Sequence, residues 1–345
     1  MQKILIVQSA FLGDIVLSSS VISGIKDLFP DSEIYFLTTK LGSELVENNP
    51  NIKDVIIYDK KNLDRGIKGL FRLVRKIRSF NFERVYSIHK SYRTAIILFL
   101  TKIPIRVGFS DAKLRFLYTN LAERDLSQHE VLRSFSILRN EYGFGKLKPE
   151  LDLYPKDELS FYVKEKIKKY FNQDTDQISY DDLFNNTIIL SPGSIWETKR
   201  WHSKGFNEVA KYLENKNYKI IFVGSKKESD IVDKCCSNIN CLNLAGDTNL
   251  SDLMLLIKKS KLLICNDSLV LHIASAFKTP TVAIFCATSP KFGFGPIHSN
   301  SIVIEEDNLE CKPCSPHGAK FCPLGINTCM TFSSNKVIMA LERIL

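Results

Sequence analysis

The chain has little of what a membrane span or an exported protein requires. Its 345 residues contain no run that approaches the ~18 consecutive apolar residues of a transmembrane helix. The first residues enter strand-like sequence at once, without the small-residue cleavage site of a signal peptide. From the sequence we therefore expect a cytoplasmic protein.

The sequence also lacks the glycine-rich fingerprint of a dinucleotide-binding turn. The first turn between a strand and a helix, residues 8–14, contains only Gly13, whereas the G-x-G-x-x-G fingerprint contains three glycines. This absence argues against a dehydrogenase. Solenoid repeats and low-complexity tracts are missing too, and the composition is that of an ordinary globular protein.

The nine cysteines are odd in number and accompany no export signal, which argues against a disulfide framework. Four of them, Cys311, Cys314, Cys322 and Cys329, follow the spacing C-x2-C-x7-C-x6-C. The first pair has the spacing of a zinc knuckle, but the second pair is too widely spaced for the usual form. A structural zinc site is therefore one hypothesis. Free thiols in a packed tail and, less strongly, disulfides are its alternatives.

The net charge of +9 suits an anionic partner, such as a membrane surface, a phosphorylated lipid, a nucleotide or a nucleic acid. Residues 66–80 predict a basic amphipathic helix. Its apolar stripe consists of Ile67, Leu70, Phe71, Val74 and Ile77, and its charge comes from Lys68, Arg72, Arg75, Lys76 and Arg78. The simpler interpretation is a helix that covers a sheet and exposes a solvated outer face. The sharper one is contact with an anionic membrane.

Short apolar runs alternate with helical patterns in two blocks, which predicts two doubly wound α/β domains. The length of the chain favours two domains as well. Unbroken apolar runs, such as residues 4–7 and 187–190, are typical of parallel strands that are buried on both faces. The predicted strands are Lys3–Gln8, Glu33–Leu37, Val55–Tyr58, Arg84–Ile88 and Ile105–Phe109 in the first block, and Thr187–Ser191, Ile220–Gly224, Leu262–Asn266, Thr281–Phe285 and Ile302–Ile304 in the second.

The polar stretch at residues 172–186 interrupts this alternation and is rich in Asp, Asn and Gln. We therefore expect a first domain over residues 1–172 and a second over residues 186–330. A short C-terminal helix is expected at residues 335–345, where apolar residues recur at helical spacing.

Polar residues of the second block collect where its strands end, which is the ligand-binding edge of an open parallel sheet. Asp267 and His272 follow a buried strand and open a helix, whose start favours phosphate. On its own, His272 would more often be a structural histidine. The loop at residues 191–201 adds hydroxyls and a Lys–Arg pair that suit a phosphate, against the alternative of a solvated loop anchored by tryptophan. The expected ligand-binding residues are Gly193, Ser194, Lys199, Arg200, Gly224, Ser225, Gly246, Asp267, Ser268 and His272.

Asp14 follows the first strand and directly precedes a helical pattern at residues 15–28. Its simplest role is to cap that helix, because Asp caps well. Its place at the carboxyl end of the strand favours a second role, as a carboxylate that faces a ligand. The basic residues His89, Lys90 and Arg93 follow the predicted strand Arg84–Ile88 of the first block, and Arg106 and Arg115 come later in the chain.

Several stretches together carry a family pattern: Ile4–Ser20, Ile88–Arg93, Ser191–Trp201, Gly224–Ser225, Ala245–Asp247, Asn266–Ala276 and Ala283–Pro296. With them the chain resembles the ADP-heptose:lipopolysaccharide heptosyltransferases, and most closely the heptosyltransferase II group of glycosyltransferase family 9. The resemblance covers nearly the whole length. Its motifs are specific to the family but less specific for the sugar that is carried.

The resemblance implies the GT-B architecture, in which two Rossmann-like, doubly wound α/β domains with parallel sheets face a cleft. The second domain of the family binds the ADP-sugar, and the first binds a phosphorylated lipid A-core acceptor. The implied reaction is inverting transfer of heptose from ADP-L-glycero-D-manno-heptose to the inner core of lipopolysaccharide. It implies no metal cofactor for catalysis, no nucleic acid, and peripheral association with the cytoplasmic surface of the inner membrane.

By the same resemblance, Asp14 is the general base and Lys199 neutralises the phosphates of the donor. Ser194, Asp267 and His272 match donor-site positions, and the rest of the second-block set lies around them. The acceptor-binding residues expected in the first domain are Ser9, Gly13, His89, Lys90, Arg93 and Arg106.

This assignment agrees with the chemistry of glycosyl transfer. A sugar hydroxyl is a weak nucleophile, so a carboxylate beside it can take its proton. The leaving diphosphate develops negative charge, which Lys199 and helix N-termini would stabilise. The chain departs from the family pattern at Leu269, where glycine is usual, and at Lys226, where some relatives have an acidic residue for ribose. The alternatives are a related glycosyltransferase with another nucleoside diphosphate sugar, and a non-catalytic nucleotide-sugar or lipid A-core binding protein.

Overall fold

The computed structural model describes residues 1–142, 149–172 and 179–345. The chain divides into two compact units, Met1–Tyr154 and Pro155–Leu345. Within the described residues, each unit contains one parallel sheet of six strands, with helices in the connections. The α/β class with two doubly wound parallel sheets is therefore confirmed.

The first unit has the strand order of a doubly wound fold. Its strands are β1 (Lys3–Val7), β2 (Glu33–Thr38), β3 (Ile52–Ile57), β4 (Arg84–Ser87), β5 (Ile105–Phe109) and β6 (Asn120–Ala122). Its helices are α1 (Leu12–Leu17), α2 (Ser20–Leu28), α3 (Lys40–Ser43), α4 (Gly66–Arg78), α5 (Tyr92–Thr101), α6 (Glu130–Phe135) and α7 (Arg139–Tyr142). The sheet order is β3-β2-β1-β4-β5-β6, so the winding direction reverses between β1 and β4.

The second unit repeats this topology. Its strands are β7 (Thr187–Ser191), β8 (Lys219–Phe222), β9 (Leu242–Asn243), β10 (Leu262–Asn266), β11 (Thr281–Phe285) and β12 (Ser301–Glu305). Its helices are α8 (Phe161–Phe171), α9 (Tyr180–Phe184), α10 (Ser203–Asn215), α11 (Ser229–Cys235), α12 (Leu250–Lys259), α13 (Leu269–Phe277) and α14 (Ser334–Ile344). The sheet order is β12-β11-β10-β7-β8-β9, and the winding reverses between β7 and β10.

The strands predicted from the sequence are all present, with ends that shift by a few residues. The sequence does not predict β6 and β9, which lie at the outer edges of the two sheets. These strands are three and two residues long, too short for an apolar pattern to identify.

The single helix predicted after the first strand is instead two helices, α1 and α2. The hydroxyls of Ser18 and Ser19 donate to the carbonyls of Ile15 and Val16, at 3.1 and 2.8 Å. Such local bonds compete with the hydrogen bonds of a continuous helix. The first helix also begins earlier than predicted, so that Asp14 lies within its first turn and not ahead of it.

The two units divide before α8, whereas the sequence places the boundary at residues 172–186. Helix α8 contacts the rest of the second unit: the hydroxyl of Tyr170 accepts from the N–H of Ile220 at 3.1 Å and donates to the carbonyl of Asn240 at 3.2 Å. These bonds explain why α8 groups with the residues that follow it. Of the expected boundary stretch, residues 173–178 lie outside the described residues.

The C-terminal helix expected at residues 335–345 corresponds to α14. Its apolar side chains Val337, Ala340 and Leu341 belong to the buried core of the second unit. The helix is therefore part of that unit.

Candidate active site

A polar cluster of the second unit lies at the carboxyl ends of β7 and β10, where the winding direction reverses. Nζ of Lys199 lies 2.7 Å from Oδ2 of Asp267, and both side chains are largely buried. The hydroxyl of Thr288 donates to the same carboxylate oxygen at 2.7 Å. The sequence predicts Lys199 and Asp267 as ligand-binding residues, and the structure brings them into direct contact. A positioned ammonium at this edge is suited to an anionic ligand.

The loop that carries Lys199 is fixed on two sides. Thr198 and Ala319 exchange hydrogen bonds: the N–H of Thr198 donates to the carbonyl of Ala319 at 3.1 Å, and the N–H of Ala319 donates to the hydroxyl of Thr198 at 2.8 Å. Farther along, Trp201 is buried, and its indole N–H donates to the carbonyl of Phe332 at 3.0 Å. Tryptophan therefore anchors the loop, as expected if the loop were only structural. The loop also presents Lys199 at the edge of the sheet where ligands bind, as expected of a phosphate-binding loop.

Ser194 and Arg200 lie in the same loop and contact its backbone. The hydroxyl of Ser194 donates to the carbonyl of Asp267 at 3.3 Å, and Nε of Arg200 donates to the carbonyl of Ser194 at 2.8 Å. Both residues therefore shape the loop beside Lys199.

Glu228 is a further carboxylate at this edge that the sequence does not predict as a ligand. It follows β8, and its Oε2 accepts from the N–H and the hydroxyl of Ser225, both at 2.7 Å. A Cβ atom on Gly193 would lie 2.3 Å from Oε1 of Glu228, so the carboxylate rests against the Gly193 backbone. An acidic residue after the second strand of a Rossmann-like unit commonly binds ribose hydroxyls. The signal in the sequence was S-x-x-E directly after a strand, which is also the pattern of a helix cap.

Gly224 and Gly246 meet at the ends of neighbouring strands. The N–H of Gly246 donates to the carbonyl of Gly224 at 2.8 Å, and Gly246 has a φ of +82°. A Cβ atom there would lie 3.0 Å from Cα of Lys226. Glycine is therefore required at position 246 both by its left-handed backbone and by this close approach.

Helix α13 begins directly after Asp267, with Ser268 as its N-cap and Leu269 as its first residue. His272 is buried on this helix, and its ring centroid lies 6.4 Å from that of Phe294. The helix N-terminus therefore opens at the same edge as Lys199, with the backbone N–H groups that suit a phosphate. The burial of His272 fits a structural histidine as well as a ligand-binding one.

In the first unit, Asp14 occupies the third position of α1, next to Gly13. Its Oδ2 accepts from the N–H of Phe11 at 3.3 Å, so Asp14 helps to cap the helix from inside its first turn, whereas the simpler interpretation places it ahead of the helix as the N-cap residue. A carboxylate has two oxygens with several lone pairs, and capping therefore leaves it able to accept a further proton or hydrogen bond. The residue is half-buried at the carboxyl end of β1, beside the point where the winding reverses.

Ser9 and His89 meet at neighbouring strand ends. Nδ1 of His89 lies 3.1 Å from Oγ of Ser9 and 2.9 Å from Oγ1 of Thr94. Burial, together with the nearby ammonium of Lys60, lowers the pKa of His89 to about 4, so the ring is neutral at pH 7. Lys60, which the sequence does not predict, donates to the carbonyl of Ser9 at 2.5 Å. Burial and the charge of Arg93 lower the pKa of Lys60.

Lys90 and Arg93 have partners within the first unit. Nζ of Lys90 lies 2.7 Å from Oδ2 of Asp111, and Arg93 donates to the carbonyls of Asp64 and Gly66. Both residues nevertheless lie near the strand ends that carry Ser9 and His89.

Arg106 lies apart from this edge. It is the second residue of β5 and pairs in register with Val85, so it lies toward the start of the strand. Its guanidinium donates to the carbonyls of Ile103 and Leu117, at 2.5 and 3.0 Å. The structure therefore does not bring Arg106 together with the other expected acceptor residues.

Comparison with known proteins decides the family. The family model "Glycosyltransferase family 9 (heptosyltransferase)" matches residues 70–323. The chain belongs to glycosyltransferase family 9. The matched residues include Lys199, Glu228 and Asp267, whereas Asp14 precedes them.

Individual relatives of this family 9 protein agree. A lipopolysaccharide core heptosyltransferase of Haemophilus influenzae is 27% identical over 297 residues, which cover 84% of this chain and 80% of the relative. The structure of a family 9 glycosyltransferase from Veillonella parvula has a TM-score of 0.82 at 23% identity, covering 99% of this chain and 97% of that one. The structure of the Escherichia coli ADP-heptose lipopolysaccharide heptosyltransferase II has a TM-score of 0.75 at 21% identity, covering 100% and 98%. The expected heptosyltransferase fold is therefore confirmed.

The sequence offers the cysteine-rich segment at residues 311–329 as a possible zinc site of this family 9 protein. Among the residues that the structure describes, no group of three or more His, Cys, Asp or Glu side chains could hold a metal ion. Cys311, Cys314, Cys322 and Cys329 are free. The zinc hypothesis is therefore not confirmed. The segment instead braces the ligand edge through its backbone: the N–H of Cys314 donates to the carbonyl of Ala287 at 2.9 Å.

Proposed function

We propose that this protein is an inverting heptosyltransferase that transfers heptose from ADP-L-glycero-D-manno-heptose to the inner core of lipopolysaccharide. The observation that carries the proposal is the buried Lys199–Asp267 pair at the switch point of the second sheet, in a chain of family 9. The names of the relatives point the same way: one is a lipopolysaccharide core heptosyltransferase, and another is named for ADP-heptose.

In this proposal the second unit binds the donor. Lys199 and the N-terminus of α13 take the diphosphate, because an ammonium and a helix N-terminus both stabilise phosphate charge. Asp267 accepts hydrogen bonds from sugar hydroxyls. Glu228 accepts from the ribose hydroxyls, so Lys226 does not need to be acidic. The residues that complete this edge are Gly193, Ser194, Arg200, Gly224, Ser225, Gly246, Ser268 and His272.

Asp14 is the general base of the proposed reaction. Its carboxylate takes the proton of the acceptor hydroxyl while the hydroxyl oxygen forms a bond to the anomeric carbon of the heptose. The bond between that carbon and the diphosphate oxygen breaks, and ADP leaves with the electron pair, whose charge Lys199 stabilises. Attack from the face opposite the leaving group inverts the anomeric centre. Because Lys199 supplies the positive charge, the proposed mechanism requires no metal ion.

The first unit binds the acceptor, for which we propose a phosphorylated lipid A-core. Ser9, Gly13, His89, Lys90 and Arg93 remain its proposed contacts. Lys60 joins this set, since it is a half-buried cation beside Ser9 and His89. Arg106 contributes least, because it lies toward the start of β5. A lipid-linked acceptor would place the protein in the cytoplasm, at the inner-membrane surface.

A donor panel tests this proposal. ADP-heptose, ADP-glucose and UDP-glucose are each offered with a lipid A-core that lacks heptose and with one that carries a single heptose, and transfer and thermal stabilisation are measured. We expect transfer and strong stabilisation with ADP-heptose alone. The rival is a transferase for another nucleoside diphosphate sugar, which Leu269 in place of glycine favours. Transfer from UDP-glucose or ADP-glucose but not ADP-heptose would establish that rival, and binding without transfer would indicate a non-catalytic protein.

A further inference from the structure

The cysteine-rich segment, residues 311–329, is fixed to the ligand edge of the second sheet near its start. Nζ of Lys312 donates to the carbonyl of Phe285, the last residue of β11, at 2.8 Å. The same ammonium lies 2.8 Å from Oε2 of Glu305, the last residue of β12, and the lysine side chain is only 5% exposed. A buried ion pair at the two strand ends therefore holds the segment against this edge.

Farther along, a tight turn of the segment lies against the loop that carries Lys199. The N–H of Gly318 donates to the hydroxyl of Ser315 at 2.9 Å, which closes the turn. The next residue, Ala319, is the one that exchanges hydrogen bonds with Thr198. Because Thr198 directly precedes Lys199, these bonds fix the turn beside the lysine.

Gly318 packs directly on the stem of Lys199. A Cβ atom at position 318 would lie 3.0 Å from Cγ of Lys199, 3.3 Å from its Cε and 3.0 Å from Cβ of Trp196. Carbon atoms in favourable contact lie about 3.5–4.0 Å apart, so a methyl group would have to displace the lysine stem or the tryptophan. Gly318 also has a φ of +81°, where other residues are strained. Glycine therefore allows the backbone to lie this close to the lysine.

The two ends of the Lys199 side chain are thus restrained by different partners. Its ammonium lies 2.7 Å from Oδ2 of Asp267, and its stem lies on the Gly318 backbone. The ion pair alone fixes only the charged end, and a long, flexible stem can reach one point in several rotamers. Each rotamer that must be given up when a ligand binds reduces affinity. The contact with Gly318 therefore adds order that the ion pair does not supply.

We propose that Gly318 is a positioning residue for phosphate binding, which acts through Lys199 by restraining the lysine stem so that the ammonium faces the diphosphate of the donor. The inference rests on the proposed function in one respect, that Lys199 recognises phosphate. It does not depend on which sugar is carried. It also gives the cysteine-rich segment a role in donor binding, through its backbone and not through its thiols.

A pair of glycine variants tests the proposal. Gly325 lies in the same segment and has a φ of +70°, but a Cβ atom there would have no described atom within 4 Å. Gly318→Ala and Gly325→Ala therefore introduce similar backbone strain, and only the first introduces a contact with Lys199. We expect Gly318→Ala to bind ADP roughly tenfold more weakly, because a displaced ammonium loses much of its charge-assisted contact. Adenosine should bind as in the wild type. Gly325→Ala should bind both ligands normally in calorimetry.

A second variant guards against the strain of alanine at a positive φ. Gly318→Asn also adds a Cβ atom, but asparagine tolerates the left-handed region better than most residues. It should weaken ADP binding as Gly318→Ala does, and thermal unfolding identifies the variants that are folded. Normal ADP affinity in folded Gly318→Ala or Gly318→Asn would overturn the proposal. An equal loss for adenosine, or the same loss of ADP affinity in Gly325→Ala, would also overturn it.

A double-mutant cycle shows whether Gly318 acts through Lys199. In the Lys199→Met background, Gly318→Ala should not weaken ADP binding further, because there is no ammonium left to displace. A purely structural role would weaken ADP binding in both backgrounds and would contradict the proposal. With Lys199 present, Gly318→Ala should also lower kcat at saturating donor, since the diphosphate carries more charge in the transition state than in the bound donor.

The positioning role and the proposed function fail in different ways. If Lys199→Met weakens ADP binding and Gly318→Ala does not, phosphate recognition by Lys199 stands and only the role of Gly318 is lost. If Lys199→Met leaves ADP affinity unchanged, the donor-binding part of the proposed function fails, and the role of Gly318 fails with it. Normal ADP results without any transfer of heptose would contradict the proposed sugar and support the positioning role.

Discussion

Lys199 and Asp267 form a buried ion pair, with Nζ 2.7 Å from Oδ2, and Thr288 donates to the same oxygen at 2.7 Å. Both charges are largely removed from water, so each depends on the other for stabilisation. The lysine is therefore held in place at the edge of the sheet before any ligand approaches. Such preorganisation reduces the entropy that binding must remove.

The first prediction concerns the phosphates. Lys199→Met should weaken ADP binding roughly ten- to hundredfold, because a charge-assisted contact contributes about 1.5–3 kcal/mol. Affinity for adenosine should not change. The same variant should lose about 3 kcal/mol of unfolding free energy, since Asp267 is left buried without its cation. Calorimetry with ADP, AMP and adenosine, together with denaturant unfolding, measures both effects. Ser194→Ala should weaken ADP binding less.

Lys204→Met is the matched control for this prediction. Lys204 is an exposed lysine whose partner, Glu208, is on the surface at 3.8 Å. It should alter neither ADP affinity nor stability appreciably. If Lys199→Met weakened adenosine and ADP equally, Lys199 would not be the residue that recognises phosphate.

The second prediction concerns the ribose. Glu228→Gln keeps an oxygen for the Ser225 backbone but removes the negative charge beside Gly193. ADP should then bind roughly tenfold more weakly, because a neutral amide accepts a weaker hydrogen bond than a carboxylate does. The wild type should bind ADP more tightly than its 2′-deoxy and 3′-deoxy analogues, and the variant should lose much of that preference. Ser225→Ala serves as the control for the local cap. An identical preference in wild type and Glu228→Gln would leave Glu228 with the capping role only.

Much of the proposed donor site could be predicted because its residues follow strands. The carboxyl ends of parallel strands meet at one edge, so Lys199 and Asp267 could be expected together although many residues separate them. Glu228 escaped prediction because its spacing from Ser225 is that of a helix cap. Its proposed role in ribose binding depends on the approach of Gly193, which is remote in sequence.

Other features depend on tertiary packing that a periodic pattern does not contain. The pattern of α4 identifies an amphipathic helix but not which edge of its apolar stripe is buried. The sequence therefore places Ile67 and Phe71 in the apolar stripe, although neither is among the buried residues of the helix. Lys60 lies in a turn without a motif, and only the fold brings it to Ser9. Arg106 was expected at the ligand edge, but its position within β5 places it toward the start of the strand.

The third prediction concerns pH. Burial and Lys60 lower the pKa of His89 from 6.5 to about 4, so the unfolded chain binds this proton more readily than the folded one. Above pH 6.5 His89 is therefore neutral in both states and takes nothing from the free energy of unfolding. As the pH falls toward 4, protonation of the unfolded chain lowers the free energy of unfolding by about 3 kcal/mol. His89→Asn retains an acceptor for Ser9 and should remove this component of the pH dependence. Denaturant unfolding of wild type and variant between pH 4 and 7 measures it.

His317→Asn is the control for this experiment, because His317 is exposed in the second unit. Its unfolding free energy should follow the wild-type pH profile. A parallel profile for His89→Asn would show that His89 is not the group responsible.

The fourth prediction concerns the base. Asp14→Asn retains an oxygen that can accept from Phe11, so α1 should stay capped. Transfer should fall by ~10²–10⁴-fold, the usual contribution of a general base, while ADP affinity changes at most a few-fold. Steady-state rates and ADP titration provide the comparison, with the exposed Asp31→Asn as control. Normal turnover in Asp14→Asn would mean that the residue only caps its helix.

The last prediction concerns the acceptor. Lys60 is half-buried, donates to the carbonyl of Ser9 at 2.5 Å, and has a pKa lowered by burial and by Arg93. Lys60 is absent from the ion pairs found among the described residues. An anionic group of the acceptor would therefore compensate both the desolvation of its charge and the repulsion from Arg93. Lys60→Met should therefore raise the acceptor KM roughly tenfold and reduce its sensitivity to salt, with ADP affinity unchanged. Lys61→Met, at an exposed neighbouring lysine, should leave the acceptor KM close to that of the wild type. If Lys60→Met instead abolished ADP binding and left acceptor kinetics normal, the assignment of the two substrates to the two units would be reversed.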